Sequence, residues 1–97
     1  MSPADAQMKQ LRHQISDVDR AIVDLVNKRL KLVVRMKRYK DAHGIDFVDL
    51  TREEWMLQYL QRANRGPLSA EGLERLFHHL LALMKEEAVA QQQEAAV

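Results

Sequence analysis

Six charged residues in this 97-residue chain stand where charge can do chemistry: Arg12, Arg29, Lys40, Asp49, Arg52 and Glu53. Arg29 is the most telling. The apolar residues Leu11, Ile15, Val18, Ile22, Leu25, Leu32, Val33 and Met36 recur every three or four positions, the period of one helix face. Continuing that count from Leu25 lands on Arg29, and Lys40 falls on the same stripe one turn past Met36. A cation set on an apolar face is costly unless something negative answers it. The stripe supplies few carboxylates, with Asp19 about three turns from Arg29, so the simplest answer is a bound anion. A guanidinium suits that task because it grips a carboxylate or phosphate through two parallel N–H donors. The alternative is that Arg29 lies at the edge of the stripe, where it snorkels to water or pairs with a carboxylate on a neighbouring helix.

The other charged candidates have plain structural readings beside the functional one. Asp49 is a good helix N-cap. Arg52 and Glu53 could be an exposed pair at a helix start, worth under about 1 kcal/mol. Lys40 near a helix C-terminus is favoured by the helix dipole alone. His13, His43, His78 and His79 do not form a ligand set, because His78 and His79 are adjacent rather than one turn apart, and no metal is expected.

The elements that position these groups are helices. Three glycines, two prolines, one tryptophan, two tyrosines and two phenylalanines leave little material for turns or sheets, so an all-α fold of three helices follows. The first helix can run from about Ala4 to His43, with Gly44 stopping it in a left-handed C-terminal position. At 1.5 Å per residue it would be roughly 55 to 60 Å long, against a radius of gyration of about 13 Å for a compact chain of this size. Such a helix must protrude, and its apolar stripe then needs a partner, most commonly a second copy in a symmetric homodimer. Asp49 or Thr51 caps a second helix, Thr51 with Glu54 offering a capping box, and Trp55 or Met56, Leu57 and Leu60 give its apolar face. Asn64-Arg65-Gly66-Pro67 ends it. Ser69 caps a third helix with Leu73, Leu76, Phe77, Leu80, Leu81 and Met84 at core spacing, and the tail 90–97 is expected to fray.

Composition narrows the functional class. The length fits one domain, 1–97. With 46% hydrophobic and 30% charged residues the chain is an ordinary globular one. No cysteine is present, so disulfides and thiolate metal sites are excluded and a reducing compartment is permitted. No apolar run is long enough to span a membrane and no signal-peptide core follows Met1, so a cytoplasmic protein is expected. The run Lys28 to Lys40 is basic, but a net charge of +1 and the lack of interleaved aromatics argue against a nucleic-acid partner.

Arg12 and Arg29 are 17 residues apart, about 25 Å along a helix, so one small anion cannot touch both within one chain. In an antiparallel pair of long helices, Arg12 of one protomer can come alongside Arg29 of the other. Here the sequence resembles the all-helical chorismate mutase family, from Leu11 to about Glu87. The resemblance is carried by Leu11-Arg12 with Ile15, Asp19 and Ile22, by Leu25 and Arg29, by Tyr39-Lys40 and Gly44, by Asp49-Leu50-Thr51-Arg52-Glu53 and by Leu76-Phe77. The Arg52-Glu53-Glu54 and Gly66-Pro67 segments look most like mutase domains fused to DAHP synthases.

The resemblance implies an intertwined homodimeric helical bundle that converts chorismate to prephenate without a cofactor. Arg29 and the partner's Arg12 match the positions that clamp the two carboxylates, Lys40 the cation at the breaking ether oxygen, and Glu53 and Asp49 the groups on the ring hydroxyl. Arg52 supports the pocket charges, and a DAHP synthase or another shikimate-pathway enzyme is an implied partner. The chain departs from the pattern on its third helix, where Met84 and Ala88 stand at positions the family fills with polar residues. Glu87 is adjacent but rotated by about 100°. A low-activity domain that binds or regulates, and a pyruvate lyase acting on isochorismate, therefore stay open beside the mutase.

Overall fold

The computed structural model describes residues 2–95, the side chain of Ala95 excepted. Its order is α1 (Pro3–Ala42), α2 (Leu50–Ala63) and α3 (Ala70–Ala95), with no strand among the described residues.

Each helix end has a local cause. Ser2 caps α1: its hydroxyl accepts from the Asp5 backbone N–H at 3.1 Å, and the Asp5 carboxylate accepts from the Ser2 N–H at 3.3 Å. This is a reciprocal box around a proline at the first helical position, where a missing N–H costs nothing. At the other end Ile45 N–H donates to Lys40 C=O at 2.8 Å and Gly44 N–H to Asp41 C=O at 3.4 Å, with Gly44 at φ 65°. Two orphan carbonyls are thereby satisfied, and only a residue at ease in the left-handed region fits. For α2 the cap is Asp49, not Thr51, since Leu50 is already helical and Asp49 Oδ1 accepts from Arg52 N–H at 3.0 Å. Ser69 caps α3 by accepting from Gly72 N–H at 2.9 Å. Asn64 closes the α2–α3 connection, its Nδ2 donating to Leu68 C=O at 2.8 Å and its Oδ1 accepting from Gly66 N–H at 3.1 Å.

The chain forms two units, Met1–Leu32 and Val33–Val97. In the first, the apolar stripe of α1 is open to solvent. Leu11, Ile15, Val18, Ile22 and Leu25 are between 49% and 65% exposed, so the face expected to be buried is uncovered within its own chain. The second unit holds the buried core, Val34, Leu73, Met84 and Ala88. Here α2 packs on α3 in antiparallel fashion, Glu53 meeting Lys85 at one end and Gln61 Nε2 donating to Ala70 C=O at the other. Met56, Leu57 and Leu60 supply the inner face of α2, while Trp55 is half exposed. On α3 Leu73, Phe77, Leu80, Leu81 and Met84 turn inward to different degrees, but Leu76 is 53% exposed because it lies off the face that meets α2. On the last turns of α1 the buried residue is Val34, not Met36, so the buried face is offset from the middle of the stripe and overlaps it at the half-buried Val33.

Helix α3 continues through Gln91-Gln92-Gln93 to Ala95, where the sequence leads one to expect fraying from Ala90; residues 96 and 97 lie outside the described residues. One polar contact accounts for part of this order. Gln92 Nε2 donates to Asp41 Oδ2 at 2.9 Å, and Lys37 Nζ donates to the same oxygen at 2.9 Å. The Lys37 contact first, then that of Gln92, holds the Asp41 carboxyl below its ordinary value of 3.8. A carboxyl whose folded-state value is lowered adds stability above its unfolded value and loses it as pH falls through the folded one. Asp41→Asn is therefore expected to be less stable than the parent near neutral pH. The difference should close as pH drops below the ordinary carboxylate range, as read by urea unfolding at a series of pH values.

Candidate active site

The candidate residues divide between the two units. Arg12 and Arg29 lie in the first, on α1; Arg12 is exposed, and Arg29 is half-buried and not without a partner.

Lys40, Asp49, Arg52 and Glu53 lie in the second unit, around the junction of α1 and α2. Lys40 is half-buried, and its ammonium donates to Phe47 C=O at 3.2 Å. An ammonium has three N–H donors, so this contact fixes the group and leaves capacity for an incoming oxygen. Phe47 is also half-buried, and its ring receives the Lys37 ammonium at 5.3 Å from its centre, a cation–π contact that helps hold the connecting loop.

Asp49 acts structurally through one oxygen, the α2 cap. The backbone N–H it receives belongs to Arg52, so the cap also sets where that arginine leaves the helix. The Arg52 guanidinium lies over the Trp55 ring at 4.2 Å, and Trp55 stacks on Tyr59 at 5.7 Å with only 7° between the planes. Arginine is well suited to such stacking, being planar and weakly hydrated. Glu53 does not pair with Arg52. Its Oε1 meets Lys85 Nζ on α3 at 2.6 Å, both side chains being partly withdrawn from water. Glu53 also lines a groove of about 200 Å³ between α2 and α3 together with Glu54, Glu74 and His78.

On α3, Met84 is 2% exposed and Ala88 wholly buried, while Glu87 is exposed. The side chain of Glu87 thus does not share the buried face of Ala88. Lys85, Phe47 and Trp55 are partners that the sequence reading missed. For Lys85 a signal was present: it lies four residues beyond Leu81 and eight beyond Phe77, a cation on an apolar stripe just as Arg29 is. The Phe47 carbonyl carried no such mark, because a backbone acceptor has no sequence signature. Among the described residues no three histidine or carboxylate groups come together to hold a metal.

A long first helix, a capped second and an antiparallel third define an all-helical protein whose charged side chains are seated on its helix faces. The chain belongs to the chorismate mutase type II family, whose model matches residues 11–89. It is 34% identical over 87 residues to a bifunctional chorismate mutase/prephenate dehydratase of Stutzerimonas stutzeri, covering 84% of this chain and 24% of that protein. A protein described in the same words from Pseudomonas aeruginosa is 28% identical over 81 residues, covering 78% and 22%. The chain therefore spans about a quarter of the length of these curated relatives. Among solved structures, chorismate mutase (form II) from Thermus thermophilus matches with a TM-score of 0.84 at 30% identity, over 88% of this chain and 97% of that one. Form I of the same protein gives 0.79 at 32% identity, over 80% and 98%.

The interior at Ala88 yields a stability prediction. A glutamine there must bury a longer polar side chain in a packed place, so Ala88→Gln should destabilise the chain by about 1 to 3 kcal/mol, measured by urea denaturation.

Proposed function

We propose that this chain is a chorismate mutase that rearranges chorismate to prephenate in aromatic amino-acid biosynthesis, working in the cytoplasm as a homodimer. The observation that carries the reading is the extent of the family match: residues 11–89 include all six charged candidates from Arg12 to Glu53. The chemistry asks for what these residue types offer. A unimolecular rearrangement is accelerated by holding the reacting ends together, which Arg29 and the partner's Arg12 can do by gripping the two carboxylates. Negative charge gathers on the ether oxygen as its bond breaks, and a fixed cation there lowers the barrier. Lys40 is that cation, held by Phe47 C=O with donors to spare. Glu53 and Asp49 take the ring hydroxyl, and Arg52 adds positive charge nearby.

The dimer is supported by the open stripe of the first unit. Five large apolar residues at helical spacing, each about half exposed or more, form a surface of the kind that marks a protein interface. A second copy laid antiparallel covers it and brings Arg12 of one protomer towards Arg29 of the other.

A second reading, a low-turnover domain that binds chorismate or regulates a shikimate-pathway enzyme such as a DAHP synthase, is favoured by the burial of Met84 and Ala88. These apolar side chains stand where the resemblance places polar groups, and the loss of one transition-state donor typically costs about 100- to 1,000-fold in rate.

The test is to add chorismate to the purified protein, follow its absorbance and identify the product. Prephenate supports the mutase; tight binding without turnover supports the second reading; and turnover of isochorismate to pyruvate, with chorismate untouched, would replace both with a lyase. Mixing inactive Arg12→Ala and Arg29→Ala proteins should restore part of the activity, because some heterodimers carry one intact site. Recovery absent despite proven subunit exchange would place the two arginines in separate roles.

A further inference from the structure

Glu53 occupies an electrostatically awkward position for the ligand proposed above. A dicarboxylate brings two negative charges, Glu53 adds a third, and Glu54 and Glu74 line the same groove. Like charges at close range repel, and partial burial strengthens the effect by reducing solvent screening. Glu53 can serve a hydroxyl beside such a ligand only if its own charge is offset and its carboxylate held in place.

Lys85 meets both conditions. It reaches from α3 to within 2.6 Å of Glu53 Oε1, with its side chain 34% and that of Glu53 22% exposed. The ammonium engages one oxygen, and the carboxylate has a second to offer an incoming O–H. Lys85 lies on the same helix as Met84 and Ala88, the two most buried apolar residues there, so its stem leaves α3 beside a packed face that limits its freedom.

We propose that Lys85 is a positioning residue of the site, whose ammonium offsets the charge of Glu53 and orients its carboxylate to accept the hydroxyl of a dicarboxylate ligand. The proposal rests on the mutase reading, and it goes beyond that reading by assigning a role to a third-helix cation. The merely structural alternative is a tie between α2 and α3 that affects only stability.

The two part in the kinetics of the full chain with chorismate. Lys85→Met keeps the apolar stem and removes the charge, so KM should rise about tenfold or more while kcat falls less. Adding Glu53→Gln to Lys85→Met should recover part of the lost affinity at neutral pH, and Lys85→Arg should retain most of it. If Lys85→Met does not fold, Lys85→Gln serves for the same comparison. A KM unchanged by loss of the Lys85 charge, with only the unfolding midpoint shifted, overturns the proposal and leaves the mutase standing. A parent protein that neither consumes chorismate nor binds it in calorimetry overturns the mutase reading, and the assignment of Lys85 with it.

Discussion

Lys40 and Lys85 each leave a helix beside apolar neighbours, and each has an ammonium that must find oxygen within reach. That requirement organises the second unit. Lys40 finds the Phe47 carbonyl, which ties the loop after α1 back to the helix it came from. Lys85 finds Glu53, which ties the start of α2 to α3. Lys37 adds a third link by sharing Asp41 with Gln92, so that the end of α1 holds the late turns of α3. The polar contacts that tie these elements together are thus made by lysines, and of the three only Lys40 is also a candidate for the site, with donors left over after its contact with the Phe47 carbonyl.

The two units express different solutions to the burial of apolar surface. In the second, α2 and α3 pack on one another, and Val34, Leu73, Met84 and Ala88 are buried. In the first, a single stretch of helix carries a full stripe with nothing of its own to set against it, and neither helix propensity nor capping stabilises an isolated helix as tertiary packing does. The reciprocal Ser2–Asp5 cap makes α1 start cleanly, but the stripe still calls for cover.

Much of this was legible in the amino-acid pattern. The period of three and four placed the helices, Gly44 marked the end of the first, and Ser69 the start of the third. What the pattern could not show is which side of a helix meets which neighbour. Leu76 fits the core spacing of α3 as well as Leu80 does, yet Leu80 is half-buried and Leu76 is exposed. In the same way Asp49 and Thr51 are both good caps, and the choice was made by Leu50 entering the helix. Of the candidate site, the residue types and their order could be read, together with the cation on the stripe. Their partners could not: the Phe47 carbonyl and the Trp55 ring become partners only once the loop and the first turn of α2 are folded.

The stack on the outer face of α2 has a practical consequence. Trp55 is the one tryptophan in the chain, and the guanidinium of Arg52 lies directly over its ring. The indole emission of this protein therefore comes from a single place, whose immediate electrostatic surroundings are set by a candidate ligand-binding side chain. Any movement of that arginine towards an anion changes the field on the indole, so the protein carries its own optical gauge of Arg52, with no label attached.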